Sequence, residues 1–261
     1  MEHICRNMGG ASLLYAWFEA MHTRIDLLLY HLDFSERELL LLADGIQEEV
    51  VRIEAFGSRF LPCSEVSAVN TSIPGEWTNV SVELLQIIID CMDYAVKTDG
   101  LFDITASPES RGISLSEKLE VDVNRCAVRR LSESVRIDLS GYLKGYALGR
   151  CVNLLRKGGI NDALLSFGNS SVYGMGNHPC GDGWPVSTKF CPGKVYRLCN
   201  ACLTTSGNYA EGRMHIVHPL TGELISGKKE VSVLTDRPEE GEVMSIVRFL
   251  QQYGSSPSVS K

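Results

Sequence analysis

Apolar residues recur at helical spacing through "FSERELLLLADGIQEEVVRIEAF", where Leu39, Leu42, Ile46, Val50 and Ile53 share one face. Ser35 followed by Glu38 has the form of a capping box, so this helix starts there. A second helix is predicted over "VSVELLQIIIDCMDYAVKT", with Leu84, Ile88, Cys91 and Ala95 in register and Gly100 as its stop. In "RIDLSGYLKGYALGR" the pattern changes midway: Ile137 and Leu139 alternate with Asp138 as in a short strand, and a third helix follows Ser140 as far as Lys157-Gly158-Gly159.

Alternation typical of strands marks "RIDLLLY" at 24–30 and, after residue 160, "DALLSFG", "SVYGMG", "WPVST", "KVYRLCNACLTT", "MHIVHP" and "EVSVLT". A last helix is read over "GEVMSIVRFLQQYG". Helices and strands come in separate runs, which predicts an α+β fold with a central mixed or antiparallel sheet flanked by helices. The expected organisation is one structural unit over 1–261, divisible into two lobes, with 1–17 and 255–261 peripheral.

A chain of 261 residues, 44% hydrophobic, can bury a core without staples. Its net charge of −7 and scattered basic residues argue against a nucleic-acid surface. Nine cysteines, an odd and irregularly spaced set, suit reduced thiols in a reducing compartment. Cys199-Asn-Ala-Cys202 can be read as half of a zinc site with Cys180 and Cys191, but the latter pair lacks that spacing, and a buried strand is the preferred reading. No apolar run is long enough to span a membrane, and no export signal is visible, so the chain as given is expected to be cytoplasmic or trimmed of a leader.

Four glycine-bearing turns carry the candidate chemistry: "KTDGLFDIT", "DLSGYLKG", "SFGNSSVYGMG" and "TTSGNY", the last followed by "HIVHPLTGE". Glycine turns bring backbone groups close to a ligand, and a helix start with a lysine one turn in suits phosphate. Singly each is an ordinary turn. Their order resembles the FAD:protein FMN transferase family, the ApbE-type flavin transferases, and the likeness extends from "FEAMHTRIDLLLY" through "SRFLPCSEVSAVN" to "GEVMSIVRFL".

The resemblance implies a flavin-transferase, T-fold-like architecture and a reaction in which FMN passes from FAD to a Thr or Ser of a target flavoprotein, with AMP released and Mg²⁺ at the pyrophosphate. It implies FAD contacts at Met21, Phe60, Leu101, Phe102, Asp103, Asp138, Lys144 and Ile216, with Phe60 and Phe102 as flat surfaces for a ring. It implies metal ligation by the Gly141 carbonyl, Glu242 and Ser245, and acid/base help from His215.

Several positions depart from the family pattern. The family's Asp-Ala-x-x-Thr becomes Glu242 at the acid and Ile246 at the hydroxyl, with Ser245 one place earlier. His22 stands for a glycine, Asn169-Ser170-Ser171 for Gly-Asp-Ile, and His218 for an aspartate. Metal affinity should fall, and three readings stay open: a working transferase with an altered metal site, an FAD-binding relative with little or no turnover, and a soluble domain that has kept only the fold.

Overall fold

The computed structural model describes residues 1–8, 10–188, 193–208 and 216–254. The chain folds as two compact units, one of Met1–Glu54, Leu143–Thr205 and Ser232–Glu242, the other of Ala55–Tyr142, Ser206–Val231 and Val243–Lys261.

The first unit is built on strands β1 (Glu2–Met8), β2 (Ala11–Ala20) and β3 (Thr23–His31), followed by helix α1 (Glu36–Gly57). The second unit contributes α2 (Glu65–Thr71), β4 (Thr78–Asn79), α3 (Val82–Lys97), β5 (Leu119–Asp122) and β6 (Ala127–Arg130). The chain continues with α4 (Leu143–Lys157), β7 (Asp162–Phe167), β8 (Ser171–Met175), β9 (Trp184–Ser187), β10 (Val195–Leu198), β11 (Ala201–Asn208), β12 (Lys229–Thr235) and α5 (Pro238–Tyr253).

Seven strands form the main sheet in the order β1-β2-β3-β7-β8-β11-β12, and each pairing from β1 to β11 is antiparallel. Side chains alternate across it. Leu14, Ala16, Phe18, Ile25, Leu27, Leu29, Ala163, Leu165 and Phe167 line one buried face. On the other face the β9–β10 ribbon covers part of the sheet, Trp184 and Leu198 packing on Val172 and Leu203 with Leu28 and Leu164 at the margin.

Helix α1 begins as its sequence predicts: Ser35 N–H donates to Glu38 Oε2 at 2.8 Å while Glu38 N–H donates back to Ser35 Oγ at 3.4 Å. Of the expected stripe, Leu39, Ile46, Val50 and Ile53 are fully buried together with Ala43, whereas Leu42 is only partly buried. In the second unit Ser81 caps α3 by accepting from Leu84 N–H at 3.1 Å, and Leu84, Ile88, Cys91 and Ala95 are buried. Gly100 closes the helix at φ +77°, its N–H bonded to Ala95 O at 2.8 Å. The short sheet β4-β6-β5 is antiparallel, and Arg130, 5% exposed, gathers the carbonyls of Ser72, Ser132, Glu133 and Val135 behind it.

The pattern misleads at four places. Residues 136–140 form no strand, because the backbone of Ile137 pairs with the Asn70 side chain, donating to Oδ1 at 2.7 Å and accepting from Nδ2 at 2.9 Å. "KVYRLCNACLTT" is two strands, β10 and β11, broken where Asn200 turns left-handed at φ +52°. Of "MHIVHP" only an isolated bridge, Val217 to Leu224, lies within the described residues. Residues 2–20, where no strand is read from the pattern, pair along their length as β1 and β2. Residues 255–261 lie outside the described residues.

Candidate functional site

The first unit gathers three of the expected residues, Met21, Lys144 and Glu242. Met21 and His22 make the two-residue turn between β2 and β3, both left-handed at φ +52° and +55°, the geometry that matches strand twist and that glycine or asparagine fills without strain. The turn leans on the loop after β7. Gly168 N–H donates to Arg24 O at 2.9 Å, and a Cβ on Gly168, itself at φ +64°, would fall 2.2 Å from Thr23 Oγ1.

Lys144 sits in the first turn of α4 and donates to Ser170 Oγ at 2.7 Å, with its ammonium 3.6 Å from Glu242 Oε1. The same oxygen accepts from Ser171 Oγ. Glu242 is 4% exposed, whereas the Lys144 side chain keeps 25% of its surface open. The neighbouring glycine makes this meeting geometrically feasible: a Cβ at Gly145 would lie 2.5 Å from Pro238 O and 2.7 Å from Glu242 Cγ, so α4 and the start of α5 touch backbone to backbone there. Gly241 does the same against Thr204, where a Cβ would meet Thr204 Oγ1 at 2.4 Å. Nearby Cys202 is buried, and burial pushes its thiol up to about 12, so it is a neutral core group.

The second unit holds Phe60, Leu101, Phe102, Asp103, Asp138, Gly141, Ile216 and Ser245. Asp138 does two local jobs: Oδ1 accepts from Ser140 N–H at 2.9 Å, shaping the turn, and Oδ2 pairs with Arg59 at 2.9 Å. The Arg59 guanidinium also lies 4.3 Å from the ring of Phe60, which is 55% exposed. Phe102 differs from expectation. It is 3% exposed and packs edge-on to Tyr94, so its ring offers no open face to a ligand.

Asp103 is committed inward too. Its carboxylate takes Lys118 at 2.8 Å, with side chains 5% and 1% exposed, and accepts from Thr105 N–H and Oγ1. Ile216 is a core residue beside Ile225, Phe249 and Leu250. Ser245 Oγ is 2.7 Å from Ser206 Oγ. His215 falls outside the described residues.

Magnesium takes six oxygens in near-octahedral geometry and gives up water reluctantly. Glu242 is engaged by an ammonium and a hydroxyl, Ser245 by Ser206, and Ile246 Cδ1 would lie 2.7 Å from a Cβ on Gly141, so an apolar methyl covers that backbone. Among the described residues no three His, Cys, Asp or Glu side chains are grouped to hold a metal. Within its own unit, each of Glu242 and Ser245 already has a protein partner.

Three groups escape a reading of the sequence. Gly145 and Gly241 matter for helix contact, which no local pattern announces. Asn208, fully buried, donates to Ile225 O at 2.6 Å while its Oδ1 has no partner among the described residues. Its place in "TTSGNY" was the available signal.

The profile of the ApbE family matches residues 21–257. An FAD:protein FMN transferase of Chlamydia muridarum is 25% identical over 198 residues, 65% of this chain and 62% of that protein. A second, from Chlamydia pneumoniae, is 25% identical over 218 residues, 72% of this chain and 68% of that protein. The chain therefore spans a little under two thirds of the first relative. Among solved structures, the ApbE protein of Thermotoga maritima superposes with a TM-score of 0.79 at 22% identity, covering 94% of this chain and 88% of that one. The flavinyl transferase ApbE of Pseudomonas stutzeri gives a TM-score of 0.77 at 15% identity over 93% of this chain and 87% of that one. At such identities the superpositions show the fold.

Proposed function

The chain belongs to the ApbE family, and we propose that it is an FAD:protein FMN transferase that moves FMN from FAD onto a Thr or Ser hydroxyl of an acceptor flavoprotein. The observation that carries this reading is the family match across residues 21–257, supported by two relatives named for that activity. The hydroxyl oxygen of the acceptor bonds to the phosphorus of the FMN half, the pyrophosphate P–O bond breaks, and AMP leaves with the bridging oxygen. The hydroxyl proton passes to a base, for which His215 is proposed.

Phosphoryl transfer is mostly positioning and neutralisation of spreading charge. Lys144 is the cation this chain supplies, held in place by Glu242 and Ser170 with a quarter of its surface open to a phosphate. Phe60 under Arg59 offers a flat exposed ring for stacking, and Met21 sits at the tip of the β2–β3 hairpin. Leu101, Phe102, Asp103, Asp138 and Ile216 are the flavin contacts proposed from the second unit, where Asp103 anchors Lys118 and Thr105. Mg²⁺ enters this reading as a weak companion of the FAD phosphates, with Gly141, Glu242 and Ser245 as the oxygens proposed to meet it.

We infer a cytoplasmic setting, a reading supported by eight free cysteines among the described residues. No described helix is long and apolar enough to cross a membrane. The test is incubation with FAD, Mg²⁺ and a Thr-containing acceptor peptide. The peptide should gain the mass of an FMN phosphoester and AMP should appear. An unmodified peptide beside a modified positive control, with FAD still bound, would instead establish a binding-only relative.

A further inference from the structure

Strand β1 is an edge of the main sheet, and its outward row of side chains is unusual for an edge. Ile4 is in register with Tyr15 of β2, Tyr15 with Leu28 of β3, and Leu28 with Leu164 of β7. These four make one row across the face of the sheet that the β9–β10 ribbon partly covers, and beyond the margin of that ribbon the row ends on Ile4, 52% exposed. Glu2 and Arg6 flank Ile4 on the same face, two residues away on either side, because strand side chains repeat every second residue. β1 carries no proline or lysine, two of the devices by which edges are usually blunted.

We propose that β1 pairs antiparallel with β1 of a second copy of this chain, about a twofold axis through Ile4, joining two sheets into one. A twofold perpendicular to the sheet keeps the faces continuous, so paired positions must sum to an even number. Centred on Cys5, Glu2 would face Met8 and Ile4 would face Arg6. Centred on Ile4, Glu2 faces Arg6 of the second copy and Arg6 faces its Glu2. That register forms two opposite-charge pairs and runs the apolar row through Ile4 into the second sheet. On the inner face it sets His3 opposite Cys5. His3 already has Glu36 of α1 at 3.5 Å, and burial with the Glu36 charge raises the Cys5 thiol, so it stays neutral. This surface lies wholly in the first unit and makes no use of the flavin chemistry.

Sedimentation velocity of the full chain over a range of micromolar concentrations tests the pairing. The chain is expected to dimerise, and Ile4→Lys to be monomeric at the same concentrations. Glu2→Arg alone, and Arg6→Glu alone, should each weaken the dimer about tenfold or more by setting like charges opposite one another twice. Glu2→Arg combined with Arg6→Glu should restore it, which misfolding of a single variant cannot mimic. A chain that stays monomeric throughout, a dimer indifferent to Ile4→Lys, or a double variant no tighter than the singles would each overturn the proposal.

Discussion

Lys144 at the start of α4 and Glu242 in the first turns of α5 lie 3.6 Å apart, and they meet because the residue between the helices is Gly145. The acid is buried and the ammonium partly open, so the pair is asymmetric. Removing the lysine takes the counter-charge from a buried carboxylate, and the Ser171 hydroxyl that the same oxygen also meets is a weaker partner than an ammonium. Lys144→Met should therefore cost about 2 kcal/mol in urea unfolding and weaken FAD binding followed by flavin fluorescence. Lys144→Arg should recover most of the stability. Unchanged stability in Lys144→Met would show that the pair contributes nothing.

The β2–β3 turn holds a strain at Met21 and His22 that one substitution reduces. His22 has φ +55° in a two-residue hairpin, where a side chain costs more than glycine does. His22→Gly should raise stability by about 0.5 kcal/mol, a melting shift of about 1–2 °C. A lower melting temperature would mean that the contacts of the His22 side chain outweigh the backbone strain.

Elements with a strong period and a local cap could be read from the chain, and α1 and α3 are the clearest cases, their Ser35 and Ser81 sitting where capping chemistry puts them. The β1–β2 hairpin could not be read the same way. "ASLLYAWFEA" is apolar on both faces of its strand, so it lacks period-two contrast, and Met21-His22 carries no turn signal. The site was legible as an ordered set of motifs but not as geometry. Asp103 pairs with Lys118 fifteen residues on, and Asn70 satisfies Ile137 across sixty-seven, and neither partner is marked locally. Both are contacts that only the folded chain creates.

His218, standing where the family pattern has an acid, makes stability depend on pH. It is 4% exposed, its Nδ1 accepts from Leu220 N–H at 3.3 Å, and burial lowers its affinity for a proton. The folded pKa is below the ordinary 6.5, so between the two values the unfolded chain binds the extra proton. Stability should fall as pH drops below 6.5 and level off once the folded form is protonated too. In His218→Asn, whose amide oxygen can still accept from Leu220, this part of the slope should vanish. Parallel pH profiles of urea midpoints for the two proteins would show that the histidine is not the cause.

In the proposed function, any magnesium affinity is set by ligand chemistry. Each protein oxygen that the ion lacks must be replaced by water, so a site with few oxygens holds it weakly. Ile246 presses a methyl against the Gly141 backbone, and Glu242 is long enough to reach the Lys144 ammonium. Changing Ile246→Thr replaces the methyl that meets the Gly141 backbone with a shorter side chain bearing a hydroxyl, and Glu242→Asp shortens the arm and draws the carboxylate back from the lysine. The double variant should bind Mg²⁺ more tightly in the presence of FAD, by about tenfold for each kilocalorie and a half gained. It should also lose stability, because a buried methylene and an ion pair are given up. Calorimetric titration of Mg²⁺ into the FAD complexes reads the first effect without relying on turnover. Equal Mg²⁺ affinity for parent and double variant would mean that neither Ile246 nor the reach of Glu242 limits the site.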